Sequence, residues 1–214
     1  MNDELISTQV GDYLDRLVPE RPDELRKMED HARKHQFPII GPACGNICYQ
    51  LARMIGAREV CELGSGFGYS TAWFARAVKE NGGGTVQHIV WDDDLSESAQ
   101  LHLEKLELSD CVAYHVGEAV DMLRSMDGPF DIIFNDIDKD GYPEALPVIY
   151  EKLRPGGILI IDNMLWHGKI FDLHIRDSST EGVREFTRRV TEDDRWIVSL
   201  VPVRDGMIVA MKAS

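Results

Sequence analysis

The sequence predicts an α/β protein whose mostly parallel sheet ends in an antiparallel pair of strands. Three observations predict this fold class. From Arg58 onward, short apolar runs alternate with helical patterns, which is typical of a parallel sheet covered on both faces. A glycine-rich segment, residues 60–70, lies between the first apolar run and the first helical pattern. Near the end, Asp205-Gly206 lies between two apolar runs and indicates a hairpin.

Apolar runs predict five strands for the parallel part of the sheet. They cover residues 60–63, 86–91, 112–115, 130–134 and 158–161. The helices predicted between them cover residues 70–79, 96–106, 119–126 and 142–153. Three segments rich in glycine and proline are expected to be turns, at 82–84, 127–129 and 155–157. The last pair of strands is predicted at 196–203 and 207–212, which brings the sheet to seven strands.

Residues 1–56 show helical patterns and no strand signal. Helices are predicted at 12–17, 23–35 and 44–55, with a break at 38–42. We expect this region to be a helical cap or dimer surface beside the sheet, with 57–214 as the α/β core of a single domain. His31 and His35 lie one helical turn apart, but the lysines and arginines beside them favour a solvated face over a metal site.

Composition limits the function classes. The net charge of −14 repels phosphate backbones and argues against non-specific nucleic-acid binding. No stretch approaches the ~20 apolar residues of a membrane span, and no basic segment precedes an apolar one as in a secretory signal. The four cysteines form no C-x-x-C pair. We therefore expect a cytoplasmic protein with reduced, buried thiols.

The glycine-rich segment predicts a site for a nucleotide-like ligand. Gly64, Gly66 and Gly68 stand at alternate positions, where they let a ligand lie against main-chain N–H groups. A dinucleotide site usually shows G-x-G-x-x-G, whereas this chain has G-x-G-x-G with Glu62 two residues before it. The pattern favours S-adenosylmethionine (AdoMet), which has no pyrophosphate and whose amino group calls for a carboxylate. A nicotinamide dehydrogenase is the disfavoured alternative.

Two acids follow the second and third predicted strands. Asp92 is the first acid after the second strand and is placed to bind both ribose hydroxyls of a nucleoside. The alternative is that it belongs to a charged, solvated run at 92–94. Glu118 follows the third strand and Gly117, where it could accept from an adenine amino group or cap the next helix.

The fourth and fifth strands end in a possible metal site. Asp136 follows the fourth strand, and Asp162-Asn163 follow the fifth. If these strands are neighbours, the three side chains converge at one edge of the sheet. Two carboxylates and an amide oxygen suit Mg²⁺, Mn²⁺ or Ca²⁺, whereas structural zinc prefers cysteine and histidine. The alternative is that these acids cap helices.

Three further side chains lie near that edge. Lys139, three residues after Asp136, could act as a general base beside a dication, or it could form a salt bridge to Asp138 or Asp140. Trp166 and His167 follow Asn163 closely. An aromatic side chain there could form a wall for a flat substrate, and a tryptophan in the core is the alternative.

These motifs together resemble the cation-dependent class I O-methyltransferases, which include catechol and caffeoyl-CoA O-methyltransferases and their bacterial relatives. The residues that carry the resemblance are E-L-G-S-G-F-G-Y-S at 62–70, D-I-D-K-D-G-Y at 136–142 and D-N-M-L-W-H-G-K at 162–169. It runs from Pro38 to Met211 and includes residues 182–186 and the Asp205-Gly206 hairpin.

The resemblance implies a Rossmann-like fold and AdoMet-dependent methylation of one hydroxyl of a vicinal aromatic diol, by a homodimer. It implies that Asp136, Asp162 and Asn163 hold a divalent cation and that Lys139 takes the hydroxyl proton. Ser70 matches a serine that helps to hold the methionine carboxylate. The residues expected in the AdoMet pocket are Glu62, Gly64, Gly66, Gly68, Ser70, Asp92, Glu118, Ala119 and Asp136. Trp166 and His167 are expected on the substrate side.

Departures from the family pattern concern the acceptor. Asn135, Ile137 and His167 differ from the residues that relatives mostly have, and the first 37 residues match poorly. One alternative within the family is methylation of a hydroxylated uridine in tRNA. The net charge disfavours it, since the arginines at 184, 188 and 189 are diluted by Glu181 and Glu185. A non-catalytic AdoMet-binding protein is the other alternative, and the intact metal and base residues disfavour it.

Overall fold

The computed structural model describes residues 7–213. The expectations for the first six residues and for residue 214 lie outside the described part, and the division into a cap and a core stays a prediction. Seven strands form one sheet: β1 Glu59–Leu63, β2 Thr85–Val90, β3 Val112–Val116, β4 Phe130–Asn135, β5 Leu153–Ile161, β6 Trp196–Val201 and β7 Met207–Lys212. The helices are α1 Thr8–Leu17, α2 Asp23–His35, α3 Gly41–Met54, α4 Tyr69–Glu80, α5 Asp93–Lys105, α6 Ala119–Ser125, α7 Tyr142–Lys152 and α8 Ser178–Glu192.

The sheet has the order β3-β2-β1-β4-β5-β7-β6. The first five strands in this order run parallel, and β7 pairs antiparallel with both β5 and β6. The predicted α/β architecture, with its antiparallel C-terminal pair, is therefore confirmed. The order reverses between β1 and β4, and this switch point is where open α/β sheets bind their ligands.

Apolar side chains cover both faces of the sheet. One buried cluster includes Met28 of α2, Cys48 of α3 and Phe74 of α4. The other includes Ile149 of α7 and Phe186 of α8. Strands buried on both faces read as continuous apolar runs, which explains why strands such as β1 and β4 could be predicted from the sequence. In residues 7–213, no helix is long and apolar enough to span a membrane.

Two predicted turns differ from the structure. Residues 155–157 were expected to be a turn before the fifth strand, but β5 runs through them with a shift of register against β4. The positive φ of Gly156 (+70°) accommodates this irregularity inside the strand. The final hairpin is present, but its connection is longer than predicted, because β6 ends at Val201 instead of residue 203 and residues 202–206 join it to β7.

Candidate functional site

Three parallel strands end at the same level and bring the predicted site residues to one edge. The last residues of β1, β4 and β5 are register partners. The residues that follow them, Gly64, Asp136 and Asp162, therefore begin from one level of the sheet. Gly64 has φ +85°, and a Cβ atom there would lie 2.5 Å from the carbonyl oxygen of Asp136. Only glycine allows the glycine-rich loop to pass this close to the end of β4.

A cavity of about 420 Å³ opens above this edge, within the size range of ligand pockets. The glycine-rich loop, the ends of β2 and β3, and the segment after β4 supply three of its walls. Residues 37–40, between α2 and α3, supply the fourth. The predicted site residues that line it are Gly64, Gly66, Ser70, Glu118, Ala119, Asp136, Lys139 and Asn163.

Two residues expected to bind the cofactor lie behind the wall rather than in it. Glu62 is fully buried, and one of its carboxylate oxygens accepts a hydrogen bond from the Thr71 hydroxyl, while Oε1 has no partner. Burial raises the pKa of Glu62 to about 7, although hydroxyl donors such as Ser70 oppose the shift. At Gly68, a Cβ atom would lie 2.9 Å from the Ala99 side chain. Gly68 therefore allows α5 to pack against the loop.

Asp92 does not face the cavity, so its assignment to the ribose is not supported. Its Oδ1 atom accepts a hydrogen bond of 2.9 Å from the Leu95 amide and caps α5. The residues of this strand end that line the cavity are Val90 and Trp91. Asp92 lies beyond the end of β2, and the cap directs its carboxylate toward the first turn of α5.

Glu118 caps a helix, which is one of the two roles that the sequence left open, and its contact with adenine stays a prediction. Its Oε2 atom accepts a hydrogen bond of 2.7 Å from the Asp121 amide and caps α6. The same side chain lines the cavity beside Ala119.

The two acids of the expected metal site cap no described helix. Asp162 is 6% exposed, and its Oδ1 atom is buried without a hydrogen-bond partner. Burial and the neighbouring Asp136 carboxylate both raise the pKa of Asp162. Within residues 7–213 no three histidine, cysteine, aspartate or glutamate side chains form a metal-binding group, so a cation here would also need the Asn163 amide oxygen. An unpartnered buried carboxylate beside a second one fits a dication, which would relieve the repulsion.

Lys139 contacts the site directly. Its Nζ atom lies 2.8 Å from Oδ1 of Asp136, in place of the alternative salt bridges to Asp138 and Asp140. The side chain is 12% exposed, and Nζ lies 5.3 Å from the centre of the Tyr142 ring. The base candidate is thus held at the cavity wall between an acid and an aromatic ring.

Trp166 and His167 do not line the cavity, although the Trp166 ring centre lies 5.9 Å from Nζ of Lys139, and their expected role on the substrate side stays a prediction. Trp166 packs against the buried cluster of α7 and α8, as the core alternative proposed. His167 is exposed, and its amide donates a hydrogen bond of 2.7 Å to Asp205. Both residues have positive φ, at +46° and +51°.

Two arginines near the site were not recognised as organising residues from the sequence. Arg204 has φ +50°, and its Nη1 atom donates to the carbonyl oxygen of Ile39 at 2.6 Å, which ties the β6–β7 connection to the cavity wall. Arg184 of α8 donates to four main-chain carbonyl groups of residues 169–175. The positive φ of a non-glycine residue leaves no signal in a single sequence, and a helical arginine reads as a surface charge.

Comparison with known proteins agrees with this geometry. The family model described as O-methyltransferase matches residues 18–213. A catechol O-methyltransferase from Niastella koreensis is 30% identical over an alignment of 222 positions, and this alignment covers 99% of this chain and 99% of the relative.

Solved structures of O-methyltransferases have the same fold. TomG from Streptomyces achromogenes, in complex with SAM, superposes with a TM-score of 0.87 at 27% identity and covers 100% of both chains. The O-methyltransferase from Bacillus cereus, in complex with SAH, gives 0.86 at 27% identity and covers 96% of this chain and 97% of its own. With a matching family model, a full-length relative and this site, the chain belongs to the family of AdoMet-dependent O-methyltransferases.

Proposed function

We propose that this enzyme transfers a methyl group from AdoMet to one hydroxyl of a catechol-like small molecule, with a divalent cation held by Asp136, Asp162 and Asn163. The observation that carries the proposal is the buried Oδ1 atom of Asp162, which has no partner beside a second carboxylate. The similarity to a catechol O-methyltransferase supports the acceptor class.

The donor set suits Mg²⁺, Mn²⁺ or Ca²⁺, because carboxylate and amide oxygens are hard ligands, and Mg²⁺ is the cation we favour. When bound, the cation would hold the two oxygens of the diol and make the reacting hydroxyl more acidic. The favoured acceptor is a vicinal diol, because both of its neighbouring hydroxyls could bind the cation.

The chain's own residues would then bind and orient the reactants. Once its own proton has been lost to solvent, the neutral amine of Lys139 would accept the hydroxyl proton at Nζ, which lies at the cavity wall 2.8 Å from Asp136. The glycine-rich loop and Ser70 would hold the methionine part of AdoMet, which supplies the methyl group. Phe37 and Ile40 in the fourth wall would exclude water. Most of the rate gain would come from positioning.

Two competing functions have less support. Methylation of a hydroxylated uridine in tRNA would need a surface that follows phosphates, yet Arg188 and Arg189 are paired with Glu185. A non-catalytic AdoMet-binding protein would have no use for a carboxylate pair beside a lysine.

We also propose a cytoplasmic homodimer. Four free, buried cysteines suit a reducing compartment. Val10, Tyr13 and Leu17 form an exposed apolar stripe on α1 that a second subunit could cover. A monomer mass measured by light scattering at micromolar concentration would contradict the proposed homodimer.

The test is methyl transfer from labelled AdoMet to 3,4-dihydroxybenzoate, with Mg²⁺ and with EDTA. We expect turnover that EDTA abolishes, and no turnover of 4-hydroxybenzoate, which lacks the second hydroxyl. Turnover that survives EDTA would contradict the metal site. No turnover of several catechols, with AdoMet still bound, would shift the proposal to tRNA or to a sensor.

A further inference from the structure

The carboxyl end of β2 presents no carboxylate to the cavity. Val90, its last residue, is 2% exposed and packs in neither buried cluster of the sheet, because it lines the cavity instead. Trp91 lines the same wall and is 77% exposed. Asp92 caps α5 and does not line the cavity. The position where an acid would bind ribose hydroxyls in a nucleotide-binding α/β sheet is therefore apolar.

A carboxylate reaches this part of the cavity from the neighbouring strand. The Gly117 amide donates to the Val90 carbonyl at 2.9 Å, so the end of β3 lies directly beside the end of β2. The next residue, Glu118, is exposed and lines the cavity. Its cap to α6 uses Oε2 alone, and in the described part of the chain no group donates to its other oxygen. The other acids of the wall, Asp136 and Asp138, lie beyond β1 on the side of Lys139.

We infer that ribose recognition has moved from β2 to β3 in this enzyme: Glu118 accepts the hydrogen bonds of the AdoMet ribose hydroxyls, and Val90 and Trp91 supply apolar contact to the nucleoside. The inference rests on the proposed binding of AdoMet in this cavity. The methyl group must face Asp136 and Lys139, and the glycine-rich loop suits the methionine part. The apolar wall of β2 and β3 is left for the nucleoside.

Calorimetric titration with S-adenosylhomocysteine and its 2′,3′-dideoxy derivative tests the assignment. We expect Glu118→Gln to weaken binding of S-adenosylhomocysteine about tenfold, because the charged acceptor is lost. The same substitution should leave binding of the dideoxy derivative unchanged. Glu97→Gln, an identical change at an exposed position of α5 outside the wall, should alter neither affinity. Equal losses for both ligands would overturn the inference, as would no loss for either.

The comparison between ligands remains valid if the cap of α6 is weakened. A glutamine carbonyl can still accept from the Asp121 amide, and any residual effect of the cap acts on both ligands alike. Only a loss confined to the ligand with hydroxyls supports the inference.

A gain-of-function variant tests whether the carboxyl end of β2 lacks a carboxylate that could bind the ribose. Val90→Asp should tighten binding of S-adenosylhomocysteine several-fold and should not tighten binding of the dideoxy derivative. A ribose preference that Val90→Asp leaves unchanged would show that a carboxylate at the end of β2 does not reach the hydroxyls, and would overturn the claim that ribose recognition moved away from this position. If the two ligands bind as expected but no catechol is methylated, the proposed reaction is wrong and this inference stands. If catechols are methylated but the two ligands do not bind as expected, this inference is wrong and the proposed reaction stands.

Discussion

The ammonium group of Lys139 lies 2.8 Å from the carboxylate of Asp136, so the proposed base and a proposed metal ligand contact each other. Burial raises the pKa of Asp136, and the positive charge of Lys139 opposes that shift. A cation bound by Asp136 would compete with Lys139 for the same carboxylate.

Substitution Lys139→Met should lower turnover of a catechol by about 10²- to 10⁴-fold, the usual contribution of a general base. The dissociation constant for S-adenosylhomocysteine should change little. Activity should recover at high pH, where the acceptor hydroxyl ionises without help. Lys169→Met, an exposed lysine outside the wall, is the matched control and should retain activity. If Lys139→Met keeps most of its activity at neutral pH, another group is the base.

Cation binding should strengthen as pH rises. Burial and Asp136 raise the pKa of Asp162, so protons compete with a cation for this carboxylate more than for an ordinary one. The increase in melting temperature on adding Mg²⁺ should therefore be larger at about pH 8 than at about pH 6. Asp162→Asn should abolish the increase, whereas Asp138→Asn, a neighbouring acid of the wall, should preserve it. An increase that is independent of pH would argue against ionisation of Asp162 on binding.

Two buried glutamates should give stability slopes of opposite sign. Burial raises the pKa of Glu62 to about 7, so the folded state holds a proton that the unfolded state has lost between about pH 4.5 and 7. Glu62 thus makes the free energy of unfolding fall as pH rises from about 4.5 to 7. Above about pH 7, the destabilisation that Glu62 causes no longer changes with pH. Glu62→Gln should remove this fall in urea titrations across the window.

Glu24 provides the opposite case. Burial opposes its ionisation, but hydrogen bonds from His102, Lys105 and Lys27 outweigh burial and lower its pKa to about 2. Its contribution is present above about pH 4.5 and is lost as pH falls toward 2. Glu24→Gln should therefore destabilise the protein at neutral pH and matter little at about pH 2. If Glu62→Gln and Glu24→Gln change the pH dependence of the free energy of unfolding in the same way, the raised pKa of Glu62 and the lowered pKa of Glu24 are both contradicted.

The sequence predicted the sheet and the meeting of its strand ends because these depend on repeated apolar patterns and on topology. The convergence of Asp136 with Asp162 followed from the single condition that β4 and β5 are neighbours, which holds. The capping role of Asp92 could not be predicted from the sequence, because any acid in the run 92–94 could have served as the cap of α5.

Sequence distance was also a poor guide where the backbone changes direction. Trp166 follows Asn163 by three residues, yet its side chain packs against the buried cluster of α7 and α8. Asn163 and Trp166 both have positive φ, which a single sequence does not reveal. The contact between Arg204 and Ile39 joins residues that are far apart in sequence, so no local pattern encodes it. This long-range contact ties the β6–β7 connection to the wall formed by residues 37–40.

Arg184 should control the order of residues 169–175. Its guanidinium group donates to the carbonyl oxygens of Ile170, Ile175, Lys169 and Asp172 at 2.6–3.1 Å. A lysine cannot reproduce this fork, so Arg184→Lys should speed hydrogen exchange of the segment by about tenfold or more. Arg188→Lys, on the same helix, removes only exposed pairs with glutamates and is the control. Similar exchange in both variants would show that the segment is held by other contacts.

Gly182 should set the position of Lys139 from outside the cavity. It lies on α8, where a Cβ atom would lie 2.8 Å from Cα of Asp140 and closer still to the carbonyl oxygen of Lys139. Gly182→Ala should displace that backbone, lower the free energy of unfolding by about 1–3 kcal/mol and lower kcat more than the affinity for S-adenosylhomocysteine.

Gly11→Ala is the matched substitution, since a Cβ atom there meets nothing within 4 Å and α1 gains helix propensity. It should leave kcat unchanged and should not destabilise the protein. Calorimetric affinity, kcat and thermal unfolding measured on both variants separate the two cases. A wild-type kcat for Gly182→Ala would mean that α8 shifts as a body to accept the methyl group, and that the close packing of Gly182 does not set the position of Lys139.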